Sequence, residues 1–121
     1  NKIIIASWEK YDIQELLKES AILITDYSSV CMDFSYMRKP VIYYQFDQKQ
    51  FREGQYKKGY FDYSDGFGEL AVTLSQLLCY LKSSYLRNFK LEEKYKKKID
   101  NFFVLYDNKN CERIYEEIIK I

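Results

Sequence analysis

This sequence predicts an α/β fold with a parallel sheet, on three observations. Short apolar runs rich in β-branched residues recur at residues 2–6, 22–24 and 41–45. Helical apolar patterns separate them, and the links between are short. Strand and helix alternating in this way build βαβ units on a parallel sheet. The 121 residues, 47% of them hydrophobic, suffice for one packed domain and exclude a disordered chain.

Lys2-Ile3-Ile4-Ile5-Ala6 reads as a strand covered on both faces. The chain opens inside that strand and without a methionine, as a piece of a longer protein would. After a loop to Tyr11, Asp12 caps a helix, with Glu15 able to reach back and Tyr11 able to pack on Leu16. Ile13, Leu16 and Leu17 give that helix its apolar face. Ile22-Leu23-Ile24 is a short buried strand, and Thr25-Asp26-Tyr27-Ser28-Ser29 a polar turn. An amphipathic helix follows and is stopped by Arg38-Lys39-Pro40. Val41–Gln45 is the third strand.

Between Phe46 and Gly68 both periodicities vanish. All four glycines fall there, among Tyr56, Tyr60, Phe61, Tyr63 and Phe67. A long segment of this kind is usually functional or disordered, and its aromatic richness argues for order. It is expected to pack on the sheet edge and bring Arg52, Lys57 and Lys58 toward the serine turn; a solvated insertion is the alternative. Glu69–Val72 is a short strand. Thr73-Leu74-Ser75-Gln76 is a capping box opening a helix with Leu74, Leu77, Leu78 and Leu81 on one face. Helical spacing continues from Leu91 to Tyr106. Asp107-Asn108 breaks it before a last helix with Cys111, Ile114, Tyr115 and Ile118 inward.

In a parallel sheet, ligands bind outside the carboxyl ends of the strands, where both the serine turn and the segment after Gln45 lie. A strand feeding two serines into a helix start suits phosphate: amides at a helix start lack partners, and the hydroxyls add donors. Ser28 and Ser29 therefore carry two open readings, a phosphate cradle or a plain helix cap. Asp33, about one turn on, either bonds a ligand hydroxyl or favours the positive helix start. Asp26 is expected to brace the turn through backbone amides.

Other classes lose support. The absence of histidine excludes Ser-His and Cys-His nucleophile pairs and histidine metal sites within these residues. No Gly-x-Gly-x-x-Gly or Gly-x-x-x-x-Gly-Lys-Ser/Thr motif occurs, and no acidic cluster has metal-cage spacing. A net charge of +1 gives no nucleic-acid-binding field. Cys31, Cys79 and Cys111 read as reduced core residues. The apolar runs fall far short of the ~20 residues of a membrane span. Lys94, Lys96, Lys97 and Lys98, beside Phe102 and Phe103, interleave with acids as a solvated helix face does, a membrane-surface or nucleic-acid contact being the alternative.

Ile24-Thr25-Asp26-Tyr27-Ser28-Ser29-Val30, Asp33-Phe34 and Arg38-Lys39-Pro40-Val41-Ile42-Tyr43 resemble the CDP-glycerol glycerophosphotransferase family of teichoic-acid type polymerases and primases. Residues 51–63 and 65–68 are similar to that family's second signature. The resemblance implies a GT-B architecture, two Rossmann-like domains across a cleft. This chain, residues 1–121, would form a Rossmann-like half-domain in the C-terminal, donor-binding part, with its final helices packing toward the first domain. It further implies transfer of glycerol phosphate from CDP-glycerol, or a similar nucleotide donor, to a polyol-phosphate or glycan acceptor, with release of CMP. No cofactor or metal is implied, and the setting would be cytoplasmic, peripheral to the inner face of the cell membrane.

By the same resemblance Ser28 and Ser29 bind the diphosphate and Asp33 contacts a donor hydroxyl. Arg52, Lys57 or Lys58 offsets charge on the leaving CMP, the main lever in phosphoryl transfer. Family members often carry histidine at the position of Gln55; glutamine donates a hydrogen bond but shuttles no proton. The catalytic base would come from the first domain. A nucleotide-sugar glycosyltransferase of the same architecture and a non-catalytic binding domain are the alternatives.

Overall fold

Three short parallel strands carry the fold: β1 (Leu23–Thr25), β2 (Val41–Tyr44) and β3 (Glu69–Ala71), in the order β1-β2-β3. This computed structural model describes residues 3–54 and 61–121, at Arg52 and Gly54 the backbone alone. The register sets Thr25 beside Tyr43, and Tyr44 beside Ala71, so all three strands end at one edge. The described residues also form six α-helices: α1 (Ile13–Glu19), α2 (Val30–Tyr36), α3 (Gln48–Gly54), α4 (Leu74–Leu86), α5 (Glu93–Phe102) and α6 (Asn110–Ile118). The α/β class with a parallel sheet is the one expected.

The middle strand is apolar throughout because both of its faces are covered. Val41 and Tyr43 pack against Cys31 and Phe34 of α2 on one face. On the other, Ile42 and Ala71 pack against Leu77 of α4. Full burial of a ring such as Phe34 is worth about 1.5–3 kcal/mol. Gly68 lets β3 approach β2: a Cβ there would sit 1.9 Å from the Val41 carbonyl oxygen.

Caps behave as the sequence implies. Asp12 accepts hydrogen bonds from the N–H groups of Gln14 and Glu15. Glu15 itself pairs with Lys18 instead of reaching back. Thr73 and Gln76 form the full capping box of α4. After α2 the chain turns at Arg38, whose φ of 56° is left-handed. That conformation costs roughly 1–2 kcal/mol without glycine. Arg38 is held there by Asp100 at 2.7 Å and lies over the Tyr106 ring at 3.9 Å. Lys39, next in sequence, donates to the carbonyl oxygens of Leu17 at 3.0 Å, of Ser20 at 2.9 Å, and of Lys18. It thereby ties the end of α1 to the start of β2.

Several apolar runs and faces expected to be buried lack a covering surface among the described residues. Residues 3–6 form no strand; Ile3, Ile4 and Ile5 are largely exposed. An apolar run gains from joining a parallel sheet only when both its faces become covered, and nothing described covers this one. Cys111, Ile114, Tyr115 and Ile118 were expected inward, yet all are exposed on α6. Ile13 of α1 and Leu74 and Leu78 of α4 are likewise exposed, and of the three cysteines only Cys31 is buried. The segment after Gln45 is not structureless: it holds α3 and a 3-10 turn at Tyr63–Asp65. Lys94, Lys96 and Lys98 pair with Glu69, Glu93 and Asp65, as a solvated face should. Among the described residues no helix is long and apolar enough to cross a membrane.

Candidate functional site at the carboxyl edge of the sheet

The turn after β1 reaches solvent while its underside is tied to the core. Asp26 braces it as expected, its Oδ1 accepting from the Tyr27 N–H at 2.6 Å. Ser28 Oγ accepts from the Val30 N–H at 3.3 Å, a local cap. Ser29 precedes α2 in a helical conformation, and its side chain makes no capping bond. The cap reading thus describes Ser28 and not Ser29. Both serines are exposed, and among the described residues their backbone N–H groups have no hydrogen-bond partner. Asp33 stands exposed on the next turn of α2, its carboxylate likewise unpartnered among the described residues.

Side chains from two later segments hold the turn from below. Val41, Tyr43 and Gln45 share one face by strand alternation. Gln45 is 1% exposed, and its Nε2 donates to the Asp26 carbonyl at 3.1 Å. Its Oε1 accepts from Gln48 of α3 at 3.2 Å, and its backbone N–H donates to Ala71 at 2.8 Å. The Tyr63 hydroxyl donates to the Tyr27 carbonyl at 2.8 Å. The Tyr27 ring stacks on Phe51 of α3 with centroids 3.5 Å apart, and its hydroxyl reaches Asp47 at 3.2 Å. Tyr63 in turn packs edge-on against Tyr43 and Phe61.

These groups stay uncharged. Burial pushes the Tyr43 phenol well above the usual tyrosine value. Burial, then the nearby Cys31 and Asp26, raises Tyr63. Burial also raises the Cys31 thiol, so it offers no thiolate nucleophile. The edge can therefore donate hydrogen bonds from hydroxyls and amides, and none of the shifted groups is poised as a base near neutrality.

The structure places Ser28 and Ser29 on the turn before α2 and Asp33 on α2, all three exposed. It places the backbone of Arg52 in α3, next to the Phe51 that stacks on Tyr27. The Arg52 side chain, Gln55, Lys57 and Lys58 lie outside the described residues. Sequence reasoning missed Gln45, Asp47, Phe51 and Tyr63 as supports. The one available signal was the alternation on β2, which puts a polar Gln45 on the face of Val41 and Tyr43.

A parallel α/β sheet with a hydroxyl-bearing turn at its carboxyl edge has the layout in which α/β proteins bind their ligands. The family model described as CDP-Glycerol:Poly(glycerophosphate) glycerophosphotransferase matches residues 1–120, and the chain belongs to that family of transferases, with its GT-B-type α/β fold. It is 37% identical over 128 residues to the minor teichoic acid biosynthesis protein GgaB of Bacillus subtilis, covering 97% of this chain and 14% of that protein. It is 34% identical over 114 residues to the teichoic acid poly(ribitol-phosphate) polymerase of Bacillus spizizenii, covering 89% and 17%. In three dimensions it matches the wall teichoic acid polymerase TagF with a TM-score of 0.64 at 29% identity, over 90% of this chain and 26% of that one. The chain spans well under a third of each of these proteins.

Proposed function

We propose that residues 1–121 form the donor-binding domain of a teichoic-acid type transferase that uses CDP-glycerol or a related CDP-polyol. In this reading an acceptor hydroxyl of a polyol-phosphate or glycan attacks the phosphorus bearing the polyol. The bond to the bridging oxygen breaks, and CMP leaves with those electrons. The acceptor proton passes to a base outside this chain. Ser28 and Ser29 hold the diphosphate, Asp33 contacts a donor hydroxyl, and Arg52, Gln55, Lys57 and Lys58 supply donors and positive charge to the leaving CMP. In that role the protein works in the cytoplasm at the inner face of the membrane, where a nucleotide donor meets a membrane-held acceptor.

The observation that carries this reading is the turn itself: two exposed hydroxyls and two backbone amides with no hydrogen-bond partner among the described residues, at the edge where such sheets bind ligands. The family match across residues 1–120 supports a CDP-polyol as the donor. The test is CMP release from CDP-glycerol and CDP-ribitol by the full-length protein and by its Ser28→Ala/Ser29→Ala variant. Hydrogen bonds to a charged group are worth about 1.5–3 kcal/mol, so donor KM should rise roughly tenfold or more per hydroxyl; the fold should persist, its stability lowered only by the lost Ser28 cap on Val30, about 0.5–2 kcal/mol. An unchanged donor KM would remove the serines from the site. Inhibition by uridine nucleotides in place of CMP would replace the donor class.

A further inference from the structure

We infer that Tyr63 and Gln45 are positioning residues for the donor phosphate: they pin the carbonyls of Tyr27 and Asp26 so that the Ser28 amide faces the open edge. The inference rests on the proposed donor-binding role of the Ser28–Ser29 turn.

The physical basis is the planar trans peptide, in which C=O and N–H point in opposite directions. Fixing a carbonyl therefore fixes the amide of the following residue. Gln45 fixes the Asp26 carbonyl, and the amide it orients, that of Tyr27, is taken by the Asp26 carboxylate. Tyr63 fixes the Tyr27 carbonyl, and the amide it orients is that of Ser28. No described residue uses that amide. Both groups of the Asp26–Tyr27 peptide are thus taken within the protein, whereas the Ser28 amide of the next peptide has no partner among the described residues. A hydrogen bond on the carbonyl also polarises its peptide, strengthening the N–H as a donor.

The two clamps are built to hold still. Gln45 is 1% exposed and also bonded to Ala71 and Gln48, which ties the turn to β3 and α3. Tyr63 sits in a 3-10 turn capped by Asp62 and is wedged edge-on against Tyr43, Phe61 and Tyr27. Its raised pKa keeps the phenol protonated, so it donates throughout the physiological range. α2 has only seven residues, so the direction of the turn's own amides matters more than a helix dipole.

The test uses the full-length protein with Tyr63→Phe, which removes one oxygen and keeps the ring, and with Gln45→Met, which keeps length and removes the amide. Steady-state CMP release gives KM for CDP-glycerol and for the acceptor separately, well below the melting temperature of each variant. Each variant should raise the donor KM about fivefold to tenfold, the worth of one misdirected hydrogen bond, and leave the acceptor KM unchanged. Exchange of the Ser28 amide in the presence of CDP-glycerol should speed up by a similar factor. If Tyr63→Phe and Gln45→Met lower the melting temperature but leave the donor KM untouched, both side chains are structural only. A parallel rise in both KM values would mean general loosening and would also overturn the inference. Wild-type protein that neither binds CDP-glycerol nor releases CMP would instead remove the donor reading beneath it.

Discussion

Replacing Lys39 by methionine isolates a contact that crosses the fold. The ammonium lies within 3.0 Å of the Leu17 and Ser20 carbonyl oxygens and also reaches that of Lys18. These are carbonyls of the last turn of α1 and its cap, which have no helical partners of their own. Methionine keeps the apolar stem that runs beside Phe34 and removes the charge and the donors. The three bonds do not add, because carbonyls on a largely exposed helix recover water once the ammonium is gone. One charged hydrogen bond plus the helix-end interaction gives a net loss of about 2 kcal/mol. α1 has no buried residue, so the loss falls on local opening of that helix. Hydrogen exchange at Leu16–Ser20 should accelerate by about 30-fold, the rate equivalent of that energy. Lys39→Arg should retain most of the protection. Unchanged exchange in Lys39→Met would refute the idea that Lys39 anchors α1.

Two further outcomes follow from the packing and the charges. Gly68→Ala places a Cβ 1.9 Å from the Val41 carbonyl oxygen and 2.7 Å from its carbon, backbone atoms with nowhere to go. β2 and β3 must then part, and thermal melting should show a loss of about 3 kcal/mol or more, at or above the usual overpacking range; a loss under about 1 kcal/mol would mean the strands can yield. Asp107 accepts from the Lys109 N–H and from the fork of Arg113, which holds its carboxyl below the ordinary 3.8. Its stabilisation of the start of α6 is full above the ordinary aspartate value and is lost as pH falls through the lower folded value. A carboxyl-carbon titration of Asp107 with its midpoint at or above 3.8 would contradict that.

The legible parts of the fold are those fixed locally. β1, the turn, α2 and β2 follow from apolar runs and stop signals, and Asp12, Asp26 and Thr73 act as their side-chain chemistry dictates. What escaped depends on neighbours far along the chain. Residues 3–6 and the apolar side of α6 have the pattern of buried elements, but a pattern states only that a face wants cover. α3, QKQFREG, has Phe51 as its only large apolar residue, so it shows no helical stripe. In the candidate site, Ser28, Ser29 and Asp33 can be singled out from sequence because a strand, a turn and a helix start are adjacent in it. Tyr63 and Gln45 reach the turn across 36 and 19 positions, a separation with no spacing signal. Lys39 reads in sequence as part of a helix stop and acts in space as a clamp on a different helix.

The central claim is that the Thr25–Asp33 segment receives the diphosphate of a CDP-polyol. Hydrogen exchange of the full-length protein, with and without CDP-glycerol and with uridine diphosphate glucose in parallel, tests it most directly. The account predicts saturable protection across Thr25–Asp33 with CDP-glycerol and none with the uridine sugar. Bound CDP-glycerol that leaves this segment exchanging at its free rate would contradict it.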